Sequence, residues 1–164
     1  MPRPATAEPS GWMPREDWDA LVRGEGCPLC AEMASGIQAN EYFHKVADLA
    51  ISELRLAANQ NVRGYCVLVC KKHVREPYEL RSVERAIFFE DMMSSALALE
   101  RVFQPIKMNF EMLGNLVPHL HCHINPRYYA DPWPGSPIGP GVPHVLLPPE
   151  EYEARARQIR AALG

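Results

Sequence analysis

The stretch HLHCHINPR, residues 119–127, places three of the chain's six histidines at alternate positions. In an extended strand successive side chains point to opposite faces, so His119, His121 and His123 would share one face. The residues between them are apolar and would pack on a core. A helix would distribute the three histidines around its circumference. The alternation therefore predicts a β-strand with one apolar face and one face of titratable side chains.

The size and charge of the chain exclude several classes of protein. The 164 residues are enough for one domain with a substantial core. A net charge of −3 predicts no general affinity for nucleic acid or an anionic membrane, and no apolar run reaches the length of a membrane span. We expect residues 1–13 to form a flexible leader without a signal peptide's apolar core, and residues 14–164 to form the domain. The odd number of cysteines, five, favours free thiols in the reducing cytoplasm over a disulfide framework.

The pattern of apolar residues predicts an α+β fold. Residues 82–103 predict the longest helix, which ends near Pro105 because proline cannot continue a helix. Shorter helices are predicted at residues 14–22 and 148–163. The order of the elements favours an antiparallel sheet of about five strands with the helices packed on one face. The predicted strands are residues 41–49, 52–58, 65–70, 107–113 and 118–125, and the residues of the long helix expected to face the core are Ala86, Phe89, Met93, Ala96, Leu97 and Phe103.

Three histidines in register are consistent with a metal site or a catalytic surface. His119 and His123 would lie about 13 Å apart along a regular strand, at roughly 3.3 Å per residue, so all three histidines are poorly placed to share one ion. A central imidazole can instead be a nucleophile while its neighbours orient it and bind anionic oxygens. Because much of the imidazole is neutral near pH 7, it needs no separate base. The spacing therefore favours catalysis.

The segment GNLVPHLHCHINPR, residues 114–127, resembles the histidine triad motif His-φ-His-φ-His-φ-φ, in which φ is apolar. Only Asn125, at the last position, departs from the motif. The resemblance extends over residues 27–129 and includes CPLC, GYCVLVCKKHV and NFEMLGN. It is particularly close to bacterial members described as dinucleoside-polyphosphate hydrolases. It implies a histidine triad (HIT) fold and a nucleotide hydrolase or transferase that acts at the α-phosphate of nucleotidyl esters and amidates.

The resemblance implies a role for each triad histidine. His121 would attack the α-phosphorus and form a nucleotidyl-histidine intermediate, and His123 would hydrogen-bond the phosphate oxygens. His119 completes the predicted catalytic group. Tyr65 stands where many relatives carry an additional active-site histidine, which bears on the identity of the base and on the rate.

The resemblance also implies amide side chains that contact the substrate. Asn115 occupies the place of an amide residue that contacts the phosphate or the leaving group, and Asn109 matches an asparagine near the phosphates. Asn59 and Gln60 lie near the ribose-binding position, where no acidic residue aligns. Leu116 follows Asn115 where a serine or threonine is common, which bears on the leaving group.

The CPLC stretch has the spacing of a zinc knuckle, although CxxC is also found in redox-active sites or without a function. In the zinc-bearing branch that includes the galactose-1-phosphate uridylyltransferases, two histidines complete the site. The resemblance implies that Cys27, Cys30, His73 and His119 bind a structural zinc ion. No organic cofactor is expected. The remaining cysteines, Cys66, Cys70 and Cys122, are expected to be buried small apolar residues, and His44 and His144 have no predicted role.

Alternative functions and partners remain open at this stage. The leading prediction is a nucleotidyl hydrolase, and the alternatives are a nucleotidyltransferase or phosphorylase, a nucleotide-binding signalling protein with little turnover, and a metal carrier. Members of the family commonly form twofold dimers through the long helix and an edge strand. We therefore expect a homodimer, and the apolar residues Phe88, Phe89 and Met92 are candidates for its interface.

Overall fold

The structure, a computed structural model, describes residues 11–132, 134–137 and 143–164. The predicted α+β class is confirmed, and most of the predicted elements occur close to their predicted bounds. One helix was missed, because the CPLC stretch was interpreted only as a knuckle. The strands are β1 (Phe43–Asp48), β2 (Ser52–Ala57), β3 (Cys66–Cys70), β4 (Lys107–Glu111) and β5 (His121–Arg127), and the helices are α1 (Arg15–Val22), α2 (Pro28–Ser35), α3 (Ser82–Phe103) and α4 (Pro149–Leu163), with a short 3-10 turn at Pro77–Glu79.

The five strands form one antiparallel sheet in the order β1-β2-β3-β5-β4. The strand that carries the histidines is therefore an inner strand, although it is the last in the chain. Its register places His121 beside Val69 and His123 beside Val67 on one side, and His123 beside Glu111 on the other. Strands on both sides hold the β5 backbone, so its side chains have fixed positions.

One face of the sheet packs against α3 and α4. Leu54 and Leu56 of β2 are fully buried together with Ile124 of β5 and with Phe88 and Leu99 of α3. Complete burial of such side chains contributes roughly 1.5–3 kcal/mol each. This core leaves the opposite face of β5, with His121 and His123, available for a site.

The stripe of α3 that faces the core differs from the predicted stripe. Phe88 and Met92 are buried in the core, whereas Phe89, Met93 and Leu97 are exposed. Ala96 and Phe103 were predicted correctly, and Ala86 is exposed. Because α3 carries apolar residues on two adjacent stripes, helical periodicity does not decide which of them meets the sheet.

The sequence predicted that all helices pack on one face of the sheet. This prediction is wrong, because α2 lies on the opposite face. Arg55 of β2 alternates with the buried leucines and points to the opposite face, where Nη1 lies 2.5 Å from Glu32 Oε2 of α2. On the core face, His44 of β1, which pairs with Leu56, stacks on Tyr152 of α4 with ring centroids 4.0 Å apart. Within the described ranges, no helix combines the length and hydropathy needed to cross a membrane.

Candidate active site and metal cluster

The triad histidines do not all lie on the strand. His121 and His123 project from the same face of β5, with ring centroids 5.0 Å apart. His119 precedes the strand and is completely buried. The prediction that three histidines share one strand face is therefore wrong for His119. Its backbone bonds to Val117 instead of to a neighbouring strand, and its ring meets the CPLC segment.

The middle histidine is held in one tautomer. Nδ1 of His121 lies 2.6 Å from the backbone carbonyl of His119. Since a carbonyl only accepts hydrogen bonds, Nδ1–H is the donor and Nε2 carries the free electron pair. Burial lowers the pKa of His121, although the carbonyl bond opposes this shift. A neutral ring with a fixed electron pair is suited to nucleophilic attack.

The last histidine of the triad bonds to a tyrosine. Nδ1 of His123 lies 2.6 Å from the hydroxyl of Tyr65, and the ring centroids are 5.9 Å apart. Burial, and then the neighbouring His121, lower the pKa of His123 to about 4. Burial raises the pKa of the Tyr65 phenol. Both groups are consequently uncharged near neutral pH. The residue that departs from the family pattern is thus a direct partner of the triad.

The first triad histidine belongs to a cluster of four side chains with metal-binding atoms. Nδ1 of His119 is 3.3 Å from Cys27 Sγ and 3.4 Å from Cys30 Sγ. Nδ1 of His73 is 3.2 Å from Nδ1 of His119 and 3.4 Å from Cys30 Sγ. The four atoms all lie within 4.8 Å of one another. In a tetrahedral zinc site with two nitrogen and two sulfur ligands, neighbouring ligand atoms lie about 3.3–3.8 Å apart. The four distances given above are close to this range.

Hydrogen bonds orient both histidines of this cluster. Nε2–H of His119 donates to the carbonyl of Cys70 at 2.7 Å, and Nε2–H of His73 donates to the carbonyl of Val22 at 3.1 Å. Both Nδ1 atoms therefore present electron pairs to the same small space. Carbonyl partners of this kind are usual for histidines that bind zinc. The donor set and its orientation fit the predicted zinc ion.

A buried arginine contributes to the electrostatics of the triad face. The register across β2, β3 and β5 places Arg55 on this face, two strands from the triad. Its Nε lies 2.6 Å from Glu53 Oε1, its Nη1 pairs with Glu32, and its Nη2 has no hydrogen-bond partner within the described residues. Its positive charge adds to burial in lowering the pKa of His121.

The predicted amide residues have different surroundings. Asn115 is exposed in the loop between β4 and β5 and lines a cavity beside His121. Oδ1 of Asn109 on β4 accepts a hydrogen bond of 2.6 Å from Arg127. The structure thus brings Asn115 to the triad and engages Asn109 with the end of β5.

Asn59 and Gln60 stabilise the loop between β2 and β3. Nε2 of Gln60 donates to the carbonyls of Ala57 at 2.8 Å and Tyr65 at 3.0 Å. Oδ1 of Asn59 accepts a hydrogen bond of 2.9 Å from the Val145 backbone. These bonds give both side chains a structural role, and their contact with the nucleotide stays a prediction.

The cavity beside His121 contains residues to which the sequence analysis gave no function. It has a volume of 330 Å³, and its lining includes Asn115, Trp12, Trp18 and Tyr78. The ring centroids of the two tryptophans are 5.3 Å apart. The remainder of the predicted leader, residues 1–10, lies outside the described residues. Two tryptophans six positions apart in an otherwise polar segment were the only sequence signal for this aromatic lining of the cavity.

Comparisons with known proteins identify the class of this site. The HIT domain family matches residues 39–130, more than half of the chain. The chain is similar to the protein Hit of Bacillus subtilis, with 28% identity over 109 residues that cover 63% of this chain and 72% of that protein. A histidine triad protein from Bradyrhizobium japonicum aligns with a TM-score of 0.70 and 24% identity, over 76% of this chain and 92% of that one. A Zn-bound histidine triad family protein from Mycobacterium smegmatis aligns with a TM-score of 0.59 and 20% identity, over 84% of this chain and 92% of that one.

The chain therefore belongs to the HIT family. Membership indicates a protein that binds nucleotides, or that hydrolyses or transfers nucleotidyl groups. The predicted family and fold are confirmed by the HIT domain and by the agreement with solved HIT structures. The closer resemblance to dinucleoside-polyphosphate hydrolases stays a prediction.

Proposed function

We propose that the protein is a nucleotidyl hydrolase that cleaves dinucleoside polyphosphates or nucleotidyl esters and amidates at the α-phosphate. The observation that carries this proposal is the fixed tautomer of His121, whose Nδ1–H bonds to the His119 carbonyl and whose ring lines an open cavity. A half-buried, neutral and oriented imidazole at the wall of a cavity has few other uses in a member of this family. The five free cysteines support a reducing compartment such as the cytoplasm.

The proposed reaction has two displacements at one phosphorus atom. In the first, Nε2 of His121 forms a bond to the α-phosphorus while the bond to the leaving group breaks, and the leaving group takes the electron pair and a proton. In the second, water attacks the same phosphorus, the bond to Nε2 breaks, and the water releases a proton that balances the one taken up by the leaving group. The products are a nucleoside monophosphate and free His121.

His123, oriented by Tyr65, is proposed to hold the phosphate oxygens. If the phenol donates to Nδ1 of His123, then Nε2–H of that ring is free to donate to a phosphate oxygen. Charge that develops on the phosphate is stabilised by such a preoriented donor. Tyr65 is a positioning residue in this scheme, because it acts through His123.

Zinc is proposed as a structural ion held by Cys27, Cys30, His73 and His119. The four inward-facing ligand atoms support this assignment, and so does the zinc in the Mycobacterium smegmatis relative. When bound, the ion would cross-link the α1–α2 segment to His119, two residues before β5. The carbonyl that orients His121 belongs to His119, so the same cross-link would steady the nucleophile.

The stereochemical course of the reaction tests the covalent intermediate. Each in-line displacement inverts the phosphorus, so two displacements give net retention. A nucleotidyl amidate with a chiral α-phosphorothioate should therefore react with retention, determined by hydrolysis in isotopically labelled water. Net inversion would contradict a nucleophilic His121. A strict requirement for inorganic phosphate or a sugar phosphate would identify a transferase or phosphorylase instead.

Replacing Tyr65 with phenylalanine is expected to lower kcat/KM by up to about tenfold, because one hydrogen bond to a neutral group is worth roughly 0.5–1.5 kcal/mol. The measurement is steady-state hydrolysis of a nucleotidyl amidate. Tyr128→Phe is the matched control, since its hydroxyl donates to the Arg63 carbonyl at 2.8 Å. Equal rates in wild type and Tyr65→Phe would remove Tyr65 from the proposed mechanism.

We also propose that the protein is a homodimer. The exposed stripe of α3 and the start of the edge strand β4 enclose an apolar groove of 370 Å³, with Met93, Leu97 and Ile106 in its lining. Leu97 is 45% exposed and Ile106 is 54% exposed, which is unfavourable for side chains of this size unless a partner covers them. Phe88 and Met92, two of the predicted interface residues, are used in the core instead.

Leu97→Glu is expected to convert the dimer to a monomer, because it places a charge in the proposed apolar interface. Sedimentation velocity at tens of micromolar measures the change. Val83→Glu is the control, since Val83 is also an exposed residue of α3 but does not line the groove. A wild-type monomer under these conditions would contradict the dimer.

A further inference from the structure

The cavity beside His121 has a wall that the proposed chemistry at phosphorus does not require. Trp12 is 49% exposed and Tyr78 is 68% exposed, although each has a large aromatic surface. Both line the cavity, together with Trp18 of α1. Exposed aromatic surface next to a reactive side chain indicates that another molecule covers it.

The two tryptophans form a corner. The planes of Trp12 and Trp18 are inclined by 75° at a centroid distance of 5.3 Å. Two nearly perpendicular rings do not form the parallel walls that would sandwich a planar base. The edge of one ring contacts the face of the other, and the remaining aromatic faces are inclined to each other, as are the walls of the aromatic cages that bind quaternary and alkylated ammonium groups.

The charges of the cavity favour a cation. Arg75 lines the cavity, but its Nη2 lies 3.1 Å from Glu79 Oε1, so its charge is paired. The Arg75 backbone N–H donates to Oε2 of the same carboxylate at 2.8 Å, which holds the carboxylate in place. Glu76 also lines the cavity and has no ion-pair partner among the described residues. The uncompensated charge at this wall is therefore negative. A polyphosphate would be repelled there, and an ammonium group would be attracted.

We propose that this cavity is a leaving-group subsite that binds an alkylammonium group, so that the substrates are nucleotidyl amidates or esters whose leaving group carries a cation. This inference rests on the proposed function and narrows its substrate class. Nε2 of His121 bonds to the α-phosphorus as the bond to the leaving nitrogen or oxygen breaks, and the leaving atom takes the electron pair and a proton from the solvent. The trimethylammonium or ammonium head remains in the corner of Trp12 and Trp18 throughout.

The position of this wall depends on the cluster of four metal-binding side chains. Trp18 lies on α1, which ends at Val22, and the Val22 carbonyl accepts the hydrogen bond from His73. A turn that contains Gly24 and Gly26 then leads to Cys27. The same cluster thus steadies the nucleophile through His119 and the proposed subsite through α1.

Two substrates of equal shape test the subsite. Both are adenosine 5′-phosphoramidates, one with 2-(trimethylammonio)ethylamine and one with the isosteric, uncharged 3,3-dimethylbutylamine as leaving group. The ratio of their kcat/KM values, charged over uncharged, is expected to fall about tenfold in Glu76→Gln and in Trp18→Leu. It should not change in Tyr129→Leu, which removes an exposed aromatic residue outside the cavity. Comparing ratios between variants cancels the intrinsic difference in leaving-group reactivity.

A binding measurement keeps the test independent of turnover. In a Trp133→Phe background, Trp12 and Trp18 are the only tryptophans of the chain. Tetramethylammonium is expected to change their fluorescence saturably, and Glu76→Gln should weaken this binding about tenfold. If no amidate is hydrolysed but this binding occurs, the proposed function fails and the subsite stands.

Two results would overturn the subsite. One is an unchanged ratio in both variants, with ordinary turnover of the uncharged amidate and no binding of tetramethylammonium, which would leave the proposed function intact. The other is a higher kcat/KM for diadenosine tetraphosphate than for the charged amidate, which would assign the cavity to an anionic leaving group.

Discussion

His121→Asn is expected to lower the turnover of nucleotidyl substrates by about a thousandfold or more, because it removes the atom that forms the covalent intermediate. Asparagine keeps a polar side chain of similar reach, and His121 is only partly buried, so the fold should be retained. Binding of a non-hydrolysable nucleotide analogue should change little. Single-turnover kinetics and isothermal titration measure the two effects separately.

The matched control for this substitution is His144→Asn, which changes an exposed histidine outside the triad. Acid-labile label from an α-³²P substrate should be trapped on the wild type in mid-turnover, and not on His121→Asn. Near-normal rates in His121→Asn, or covalent label that persists in it, would show that the central claim about the nucleophile is wrong.

Cys27→Ala is expected to remove most of the zinc and to lower Tm by on the order of 10 °C. The wild type should contain about one zinc ion per chain. Structural zinc sites contribute binding free energy directly to folding, and each kcal/mol shifts Tm by roughly 2–4 °C in a chain of this size. Elemental analysis and differential scanning calorimetry provide the two measurements. Turnover should fall as well, since the cluster steadies the carbonyl that orients His121.

The control for the metal prediction is Cys66→Ala. Cys66 is completely buried in the core, but it is not in the cluster. Its replacement should lower the free energy of unfolding by about 1 kcal/mol and leave the zinc content unchanged. Full zinc content in the double variant Cys27→Ala/Cys30→Ala would reject the assignment of these ligands. A wild-type protein that contains no zinc, even after reconstitution, would do the same.

Local sequence patterns were sufficient for most of the secondary structure and for locating the triad. Alternating apolar residues predicted β2 and β5, and Pro105 correctly limited α3. Such patterns reflect which side of one element is apolar, and this information lies within a few consecutive residues. They are weaker for short elements, and α2 was missed because its eight residues combine a proline at the start with little amphipathic pattern.

The pattern of alternate histidines was also misleading at its first position. Geometry on a regular strand predicted that His119 shares a face with His121. In the structure, the strand starts only at His121, and His119 turns away to meet Cys27 and Cys30. The resemblance to the zinc-bearing branch placed His119 with these cysteines, which no spacing within HLHCHINPR could have done.

What the sequence determined by itself is thus most of the elements, the triad and the CxxC pair, since each depends on neighbours in the chain. The tertiary structure alone decided which apolar stripe of α3 is buried, that the Tyr65 hydroxyl meets His123, and that Trp12 and Trp18 border His121. These contacts join residues as far apart as 58 or about a hundred positions. Their formation depends on the strand order β1-β2-β3-β5-β4 and on packing around the whole core, and neither is encoded in a short window of sequence.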